Sequence, residues 1–204
     1  MRKPVLALML YLIADLAMAA GGPLGIDHRW NYDNSGVWNR NVQNVVVNGV
    51  ILSDALAALW YGSDSRFGKT SWYALDSLAV AGASTEVLKH VFQRERPIYT
   101  DDPDRWFQGS GNVSFPSGDV TAVTSIITPF VLEYRHDHPA VYLLELLPLY
   151  DGIARMKVQA HWQTDVLAGY AVGTAAGYFM HSRKIPLTVQ LLPHGLTVGL
   201  STRF

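Results

Sequence analysis

The sequence predicts an all-α fold: a helical bundle of about five to six helices, with a small C-terminal β-hairpin. Apolar residues recur with helical spacing between Val45 and His181, and Gly, Pro and Ser residues divide this region into segments of helical length. Beyond Arg183 apolar and polar residues alternate instead, which is typical of strands. A length of 204 residues fits one domain with a sizeable core.

The composition favours either a membrane nearby or helices that are buried on most sides. Apolar residues make up 49% of the chain and charged residues only 16%, whereas about a quarter is usual in soluble proteins. The longest uninterrupted apolar stretch of the fifth predicted helix, residues 166–180, is short for a bilayer crossing, so a soluble or membrane-surface core is favoured. A formal net charge of −1 indicates no nucleic-acid partner. The absence of cysteine excludes disulfides and thiolate chemistry.

The N-terminus has the pattern of a signal peptide. Arg2 and Lys3 precede ten apolar residues, 5–14, and the small residues Ala17 and Ala19 form a cleavage site. We therefore expect residues 1–19 to be removed on export to the periplasm, leaving residues 20–204 as a single domain. A short membrane anchor is the alternative, but ten apolar residues fall well below the ~20 that span a bilayer.

The helices are predicted in order along the chain. Their approximate ranges are 45–61, 70–93, 118–133, 140–154 and 161–181. Pro129 and Pro148 predict kinks in the third and fourth helices. In the fifth helix Gly169, Gly173 and Gly177 recur at intervals of four, which predicts that another helix approaches closely.

Two segments flank the predicted bundle. Residues 21–44 hold aromatic side chains among Asn, Asp and Gly without a clear period, so this segment is either a lid or a loop pinned to the bundle by its aromatic rings. At the other end, strands at 187–192 and 196–203, hinged at residues 193–195, would form a hairpin that caps the bundle.

A first charged motif ends the second predicted helix. Lys89 and Arg96 are seven residues apart, which is two helical turns, so their side chains project from the same side. Pro97 ends the helix. The polar residues 98–115 that follow are the predicted rim of a pocket. Two cations at one helix end suit a phosphate-sized anion.

A second motif opens the third predicted helix. Pro116, Ser117, Gly118 and Asp119 form a turn in which Ser117 is a natural N-cap. The backbone N–H groups at a helix N-terminus are free to bind an anion. We therefore expect Ser117 and Gly118 to contribute donors to the same phosphate.

A third motif combines Arg155, His161 and Asp165. The last two are four residues apart at the start of the fifth predicted helix and would share one face. A carboxylate one turn away can fix the imidazole tautomer and leave the other ring nitrogen free as base, ligand or nucleophile. Such a pair alone is more often structural. With the two preceding motifs, it describes an anion held for attack.

The three motifs resemble the signature of the type 2 phosphatidic acid phosphatase superfamily, which includes bacterial class A acid phosphatases and vanadium haloperoxidases. That signature reads Lys-x6-Arg-Pro, Pro-Ser-Gly-His and Ser-Arg-x5-His-x3-Asp, and nine of its eleven residues are present here in the same order and spacing. The resemblance spans residues 89–165. Two positions depart from it: Asp119 replaces the general-acid His of the family, and Ala154 replaces a Ser that helps to bind phosphate.

The resemblance implies a mechanism. His161, oriented by Asp165, would attack phosphorus to give a phosphohistidine that water hydrolyses. Asp119 would then be the acid of an enzyme with an acidic optimum, or the substrate would be a pyrophosphate whose leaving group needs less protonation. The expected phosphate-binding residues are Lys89, Arg96, Ser117, Gly118 and Arg155.

We therefore expect an exported phosphatase that acts on a phosphate monoester or pyrophosphate, with a phosphorylated lipid favoured over a small phosphate ester. The apolar composition also predicts association with a membrane surface. No metal or other cofactor is expected, since the seven His residues form no close ligand cluster. Two alternatives stay open: a non-catalytic binder of phosphorylated head groups, favoured by Asp119 and Ala154, and a vanadate-dependent haloperoxidase of the same fold.

Overall fold

A computed structural model describes residues 21–183, 187–192 and 195–200. The predicted signal peptide lies outside the described residues. Five α-helices form the described bundle, and the all-α class is confirmed for this part of the chain. They are α1 Arg40–Tyr61, α2 Arg66–Phe92, α3 Gly118–Tyr134, α4 Leu146–Lys157 and α5 Gln163–Arg183.

Short elements complete the described chain. Three 3₁₀ turns occur at Pro23–Gly25, Gly36–Trp38 and Pro139–Glu145. Two strands, β1 Leu187–Leu192 and β2 Gly195–Leu200, pair antiparallel. The function of this pair as a cap on the bundle stays a prediction.

The first two helices begin earlier than the apolar pattern indicated, because polar residues cap them. The Asn39 side chain accepts a hydrogen bond from the Asn41 N–H at 2.8 Å, and Ser65 Oγ accepts from the Gly68 N–H at 3.0 Å. Capped first turns are often polar, so they carry little of the apolar periodicity from which helix starts are predicted. Arg40 consequently lies within α1, in its first turn.

The prediction of the fourth helix was wrong for the first half of its range. Instead of one helix kinked at Pro148, the chain has the 3₁₀ segment Pro139–Glu145 followed by α4. Pro148 lies in the first turn of α4, where its missing N–H would have had no intrahelical acceptor. The fifth helix also begins later than predicted, at Gln163, so that His161 precedes it.

The glycines of α5 bring that helix against α3, as predicted. A Cβ on Gly169 would lie 2.6 Å from the Ser117 carbonyl oxygen, and one on Gly173 would lie 2.6 Å from the Thr121 carbonyl oxygen. Neither position can hold a larger residue without moving the backbone of α3. The close contact fixes the N-terminus of α3 relative to the start of α5, and both belong to the candidate site.

The outer face of α1 is apolar and exposed. Its exposed apolar side chains include Leu52, Leu56, Leu59 and Trp60, the last with 86% of its surface accessible. Among the described helices, α1 alone is long and apolar enough to cross a membrane, and only 22% of its most apolar window is buried. Burial in the bundle therefore does not account for most of its apolar surface.

The inner face of α1 holds a buried carboxyl group. Neither oxygen of Asp54 accepts a well-aligned hydrogen bond. Burial raises the pKa of Asp54 to about 7, and the nearby Ser71 hydroxyl offsets part of this effect. Folding therefore favours the protonated carboxyl, and the free energy of unfolding should fall as pH rises from about 4, the ordinary pKa of an Asp, towards 7.

Replacing Asp54 by Asn tests this assignment. The neutral amide cannot ionise, so Asp54→Asn should raise the free energy of unfolding relative to the wild type by up to about 4 kcal/mol at pH 8 and much less at pH 4.5, because one pKa unit corresponds to about 1.4 kcal/mol. Urea unfolding across that range measures the difference. Asp101→Asn, at an exposed position, is the control. A difference that does not vary with pH would contradict the assignment.

Candidate active site

A cavity of about 450 Å³ opens at the end of the bundle where α1 and α3 begin and α2 and α4 end. Six of the eight predicted site residues line it: Lys89, Arg96, Gly118, Asp119, Arg155 and His161. The others, Ser117 and Asp165, lie behind its wall. The remaining lining residues are Tyr32, Asn34, Arg40, Val158 and Ala160.

The three predicted cations converge on this cavity. Burial is the main cause that lowers the pKa of each, and neighbouring guanidinium groups lower it further. The pKa of Arg155 falls to about 10, which leaves its guanidinium charged at neutral pH. Lys89 Nζ reaches the N-terminus of α3, because a Cβ on Gly118 would lie 3.4 Å from it. Converging, partly desolvated cations at a helix N-terminus form a strong anion site.

His161 is held as a neutral imidazole with one free nitrogen. Its Nδ1 lies 2.6 Å from the Ser114 carbonyl oxygen. A carbonyl can only accept, so Nδ1 carries the proton and Nε2 keeps its lone pair. Burial, followed by the charges of Arg155, Arg96 and Lys89, lowers the pKa of His161 well below its ordinary value. The ring is therefore neutral, with the Nε2 lone pair available as a base, ligand or nucleophile.

Asp165 acts on His161 indirectly. Its Oδ2 is 3.9 Å from Nδ1 of His161, too far for a hydrogen bond. It accepts instead from Ser114 Oγ at 2.5 Å and from the Trp162 N–H at 2.9 Å. The expectation of a shared helical face was wrong, because His161 lies before the first turn of α5. Asp165 caps that turn and fixes Ser114, whose carbonyl orients the imidazole.

The turn between α4 and α5 presents His161 to the cavity. Gln159 adopts a left-handed backbone with φ of 53°, which costs about 1 kcal/mol for a residue with a side chain. Its side chain donates to the Trp30 carbonyl at 2.6 Å and accepts from Arg29 at 3.1 Å. These contacts with the N-terminal segment hold the turn in this conformation.

Ser117 occupies the N-cap position of α3, as predicted, but its groups do not face the cavity. Its N–H donates to the Asp165 carbonyl oxygen at 3.0 Å, and its buried hydroxyl has no hydrogen-bond partner among the described residues. The close packing of Gly169 of α5 on this residue explains the difference. At the N-terminus of α3, it is therefore Gly118 and not Ser117 that lines the cavity.

Asp119 is paired with two arginines. Its Oδ2 accepts from Arg40 Nη1 at 2.6 Å and lies 3.5 Å from Arg155 Nε. The buried amide of Gln43 joins the same cluster, because its Oε1 accepts from Arg40 at 3.3 Å and from Arg155 at 3.4 Å. The cavity therefore presents four cationic side chains and one carboxylate.

A buried ion network supports the site from behind. Arg94 is fully buried and donates to Asp27 at 2.6 Å and to Asp165 at 2.6 Å. The same guanidinium bonds the Pro103 carbonyl oxygen and lies 4.3 Å from the centre of the Trp106 ring. The N-terminal segment, the loop after α2 and the start of α5 are thereby tied together.

The sequence motifs missed Arg40, Ser114, Arg94 and Asp27. Arg40 and Asp27 lie in the segment that had no period, and Ser114 acts through its backbone carbonyl. One signal for Arg40 was available: a carboxylate at position 119, among three cations, leaves room for a further cationic partner. Within the part of the chain that the structure describes, no group of three or more His, Asp or Glu side chains could hold a metal ion.

Removing one partner from the buried network should destabilise the fold. Asp27→Ala leaves the Arg94 charge half compensated in a fully buried position, so we expect a loss of about 3 to 5 kcal/mol in the free energy of unfolding. Urea unfolding measures it. Arg105→Ala, which removes the exposed partner of Glu95, is the matched control and should cost less than about 1 kcal/mol. Equal losses for the two variants would contradict the assigned importance of the network.

The converging guanidinium groups should not tolerate lysine. Arg96→Lys or Arg155→Lys replaces a planar fork by a point charge, so each should weaken vanadate binding about tenfold to a hundredfold, as expected for one charged hydrogen bond. Isothermal titration at neutral pH measures the affinity. The exposed Arg135→Lys serves as control. Unchanged affinity in both cavity variants would show that the cations do not share one anion.

Two known proteins are similar to part of this chain. The chain is 29% identical over 117 residues to a lipid A 1-phosphatase of Porphyromonas gingivalis, covering 57% of the chain and 24% of that protein. It is 29% identical over 126 residues to a lipid A 1-phosphatase of Rhizobium johnstonii, covering 59% of the chain and 47% of that protein. The matches thus span less than half the length of these relatives. No solved structure matches the chain.

A family model shows the family itself. The model of the PAP2 superfamily matches residues 70–185, which include all three charged motifs and more than half of the chain. The resemblance inferred from the motifs is thereby confirmed. This chain belongs to the PAP2 superfamily.

Proposed function

We propose that this protein hydrolyses the phosphate of a phosphorylated lipid through a phosphohistidine intermediate. One observation carries the proposal. Lys89, Arg96 and Arg155 line a single cavity, and the neutral, oriented imidazole of His161 lines the same cavity. A binding site needs the cations but has no need of an imidazole with its lone pair held free. A nucleophilic displacement at phosphorus needs both.

The chemistry follows from the positions of these groups. The three cations and the N-terminus of α3 bind the non-bridging oxygens and stabilise the charge of the transition state. His161 Nε2 attacks phosphorus, while its Nδ1–H bond to Ser114 keeps the ring in place. Asp165 supports the reaction by fixing Ser114. Water then hydrolyses the phosphohistidine and regenerates the free imidazole.

The lipid part of the proposal has two supports. The similar proteins are named lipid A 1-phosphatases, and the exposed apolar face of α1 suits a membrane surface. The first turn of α1 carries Arg40 into the cavity, so a lipid surface along this helix would lie beside the site. We include export and membrane-surface association in the proposal.

The test is phosphate release and a covalent trap. Purified protein is incubated with lipid phosphates and lipid diphosphates in mixed micelles, and ³²P-labelled substrate is quenched in alkali, where phosphohistidine survives. His161→Ala should lose activity by at least about 10⁴-fold, since the nucleophile is removed, and should carry no label. The exposed His136→Ala is the matched control and should behave as the wild type.

The possible outcomes separate the functions that the sequence left open. Vanadate binding without turnover of any phosphate ester would favour the non-catalytic binder. Bromide oxidation with peroxide in the presence of vanadate would favour the haloperoxidase. Label on a residue other than His161 would contradict the phosphohistidine mechanism while leaving a phosphatase.

A further inference from the structure

The Asp119 carboxylate acts as a hydrogen-bond acceptor in this arrangement. Its Oδ2 accepts from Arg40 and faces Arg155. From the sequence, Asp119 is expected to protonate the leaving oxygen. The geometry instead makes Asp119 hold the guanidinium group of Arg40 in place.

Arg40 is held more firmly than an ordinary exposed arginine. Its backbone N–H donates to Asn34 Oδ1 at 2.7 Å, and its guanidinium bonds Asp119 and Gln43. Gln43 is fully buried, and its Nε2 donates to the Trp38 carbonyl oxygen at 2.7 Å. Both ends of Arg40 are therefore fixed by polar contacts, and the side chain still lines the cavity.

Burial shows which side of the cavity Arg40 occupies. The side chains of His161 and Arg155 are 3% and 6% exposed, whereas those of Asp119 and Arg40 are 28% and 38% exposed. His161 thus lies at the floor and Arg40 at the mouth. In phosphoryl transfer the attacking and leaving atoms are roughly in line with phosphorus. The leaving oxygen consequently points from the floor towards the mouth, where Arg40 lies.

The charge balance fits a negative leaving group. Four cationic side chains and one carboxylate line the cavity, and His161 is neutral. A phosphate monoester dianion compensates two of the three net positive charges. One positive charge is left over, at a place where negative charge develops as the P–O bond breaks.

We propose that Arg40 binds the leaving oxygen and stabilises its negative charge, and that Asp119 positions Arg40. The proposal rests on the proposed phosphatase function and adds a residue outside the three charged motifs. As the bond from His161 Nε2 to phosphorus forms, the P–O bond breaks and its electron pair goes to the leaving oxygen. Arg40 hydrogen-bonds that oxyanion, which takes its proton from water after it departs.

The dependence on the leaving group tests the role of Arg40. Wild type and Arg40→Ala are compared on a series of aryl phosphates whose leaving phenols range from acidic (4-nitrophenol) to weakly acidic (phenol). The loss in kcat/KM should be about tenfold or less for 4-nitrophenyl phosphate and about 10²- to 10³-fold for phenyl phosphate, the range seen when an oxyanion donor is removed. Arg135→Ala, which changes an exposed arginine at the end of α3 away from the cavity, is the matched control.

Two further measurements separate a chemical role from a structural one. Arg40→Ala should lower kcat for phenyl phosphate by a larger factor than it raises KM, since negative charge develops on the leaving oxygen only in the transition state. Guanidinium ion added in solution should restore turnover of phenyl phosphate by Arg40→Ala, because it can take the place of the missing side chain. It would not restore turnover if the substitution had misfolded the site. Arg40→Lys gives a second variant if Arg40→Ala folds poorly, and it should keep part of the charge stabilisation with a smaller loss on phenyl phosphate.

Asp119→Asn distinguishes the two roles considered for that carboxylate. A positioning residue should leave the pH optimum unchanged and should lower kcat more on phenyl phosphate than on 4-nitrophenyl phosphate. An optimum that shifts because a required proton is lost would identify Asp119 as the acid and overturn the proposal. An equal loss on all esters in Arg40→Ala would also overturn it. Absence of phosphate release by the wild type on every ester would instead reject the phosphatase function, and the role of Arg40 with it.

Discussion

The buried guanidinium of Arg94 between Asp27 and Asp165 is the interaction on which the candidate site depends. All three groups are withdrawn from water, and each is expensive to bury without the others. Their pairing therefore admits few alternatives to the observed arrangement of the N-terminal segment, the loop after α2 and the start of α5. These three segments are distant in sequence, and the network joins them directly.

Two hydrogen bonds link this network to His161, the proposed nucleophile. Asp165 accepts from the Ser114 hydroxyl, and the Ser114 carbonyl accepts from His161. A carbonyl cannot become a donor, so it fixes the tautomer as firmly as a carboxylate would, without placing a negative charge against the ring. Burial and three nearby cations then keep His161 neutral. The same electrostatic field acts twice, because it attracts an anion to the cavity and preserves the lone pair of His161.

The mouth and the floor of the cavity differ in how their charged side chains are paired. Among the described residues, Lys89 and Arg96 form no ion pair, and Arg155 lies 3.5 Å from the Asp119 carboxylate. At the mouth, Asp119 already compensates Arg40, so this part of the site is organised before substrate arrives. A preorganised donor spends no reorganisation energy during the reaction. The replacement of the family's His by Asp at this position is thus accompanied by a cation that no part of the signature contains.

The sequence by itself determined the bundle and most of the residues that line the candidate site. Helical periodicity and the spacing of glycines in α5 are local properties, and local spacing decides which side chains share a face. The expected shared face of Lys89 and Arg96 was wrong, because α2 ends at Phe92 and Arg96 reaches the cavity from the loop after it. The start of α5 showed the limit of such reasoning, since a helix boundary displaced by two residues removed the direct bond between His161 and Asp165.

Only the tertiary structure decided what orients His161 and what pairs with Asp119. Ser114 orients His161 through its backbone carbonyl. Every residue has such a carbonyl, so no residue type in the sequence could indicate this contact. Arg40 meets Asp119 across 79 positions of the chain, and no periodicity relates residues so far apart. Such contacts arise from the packing of whole helices, where the buried Arg94 network and the glycine face of α5 bring distant segments to one cavity.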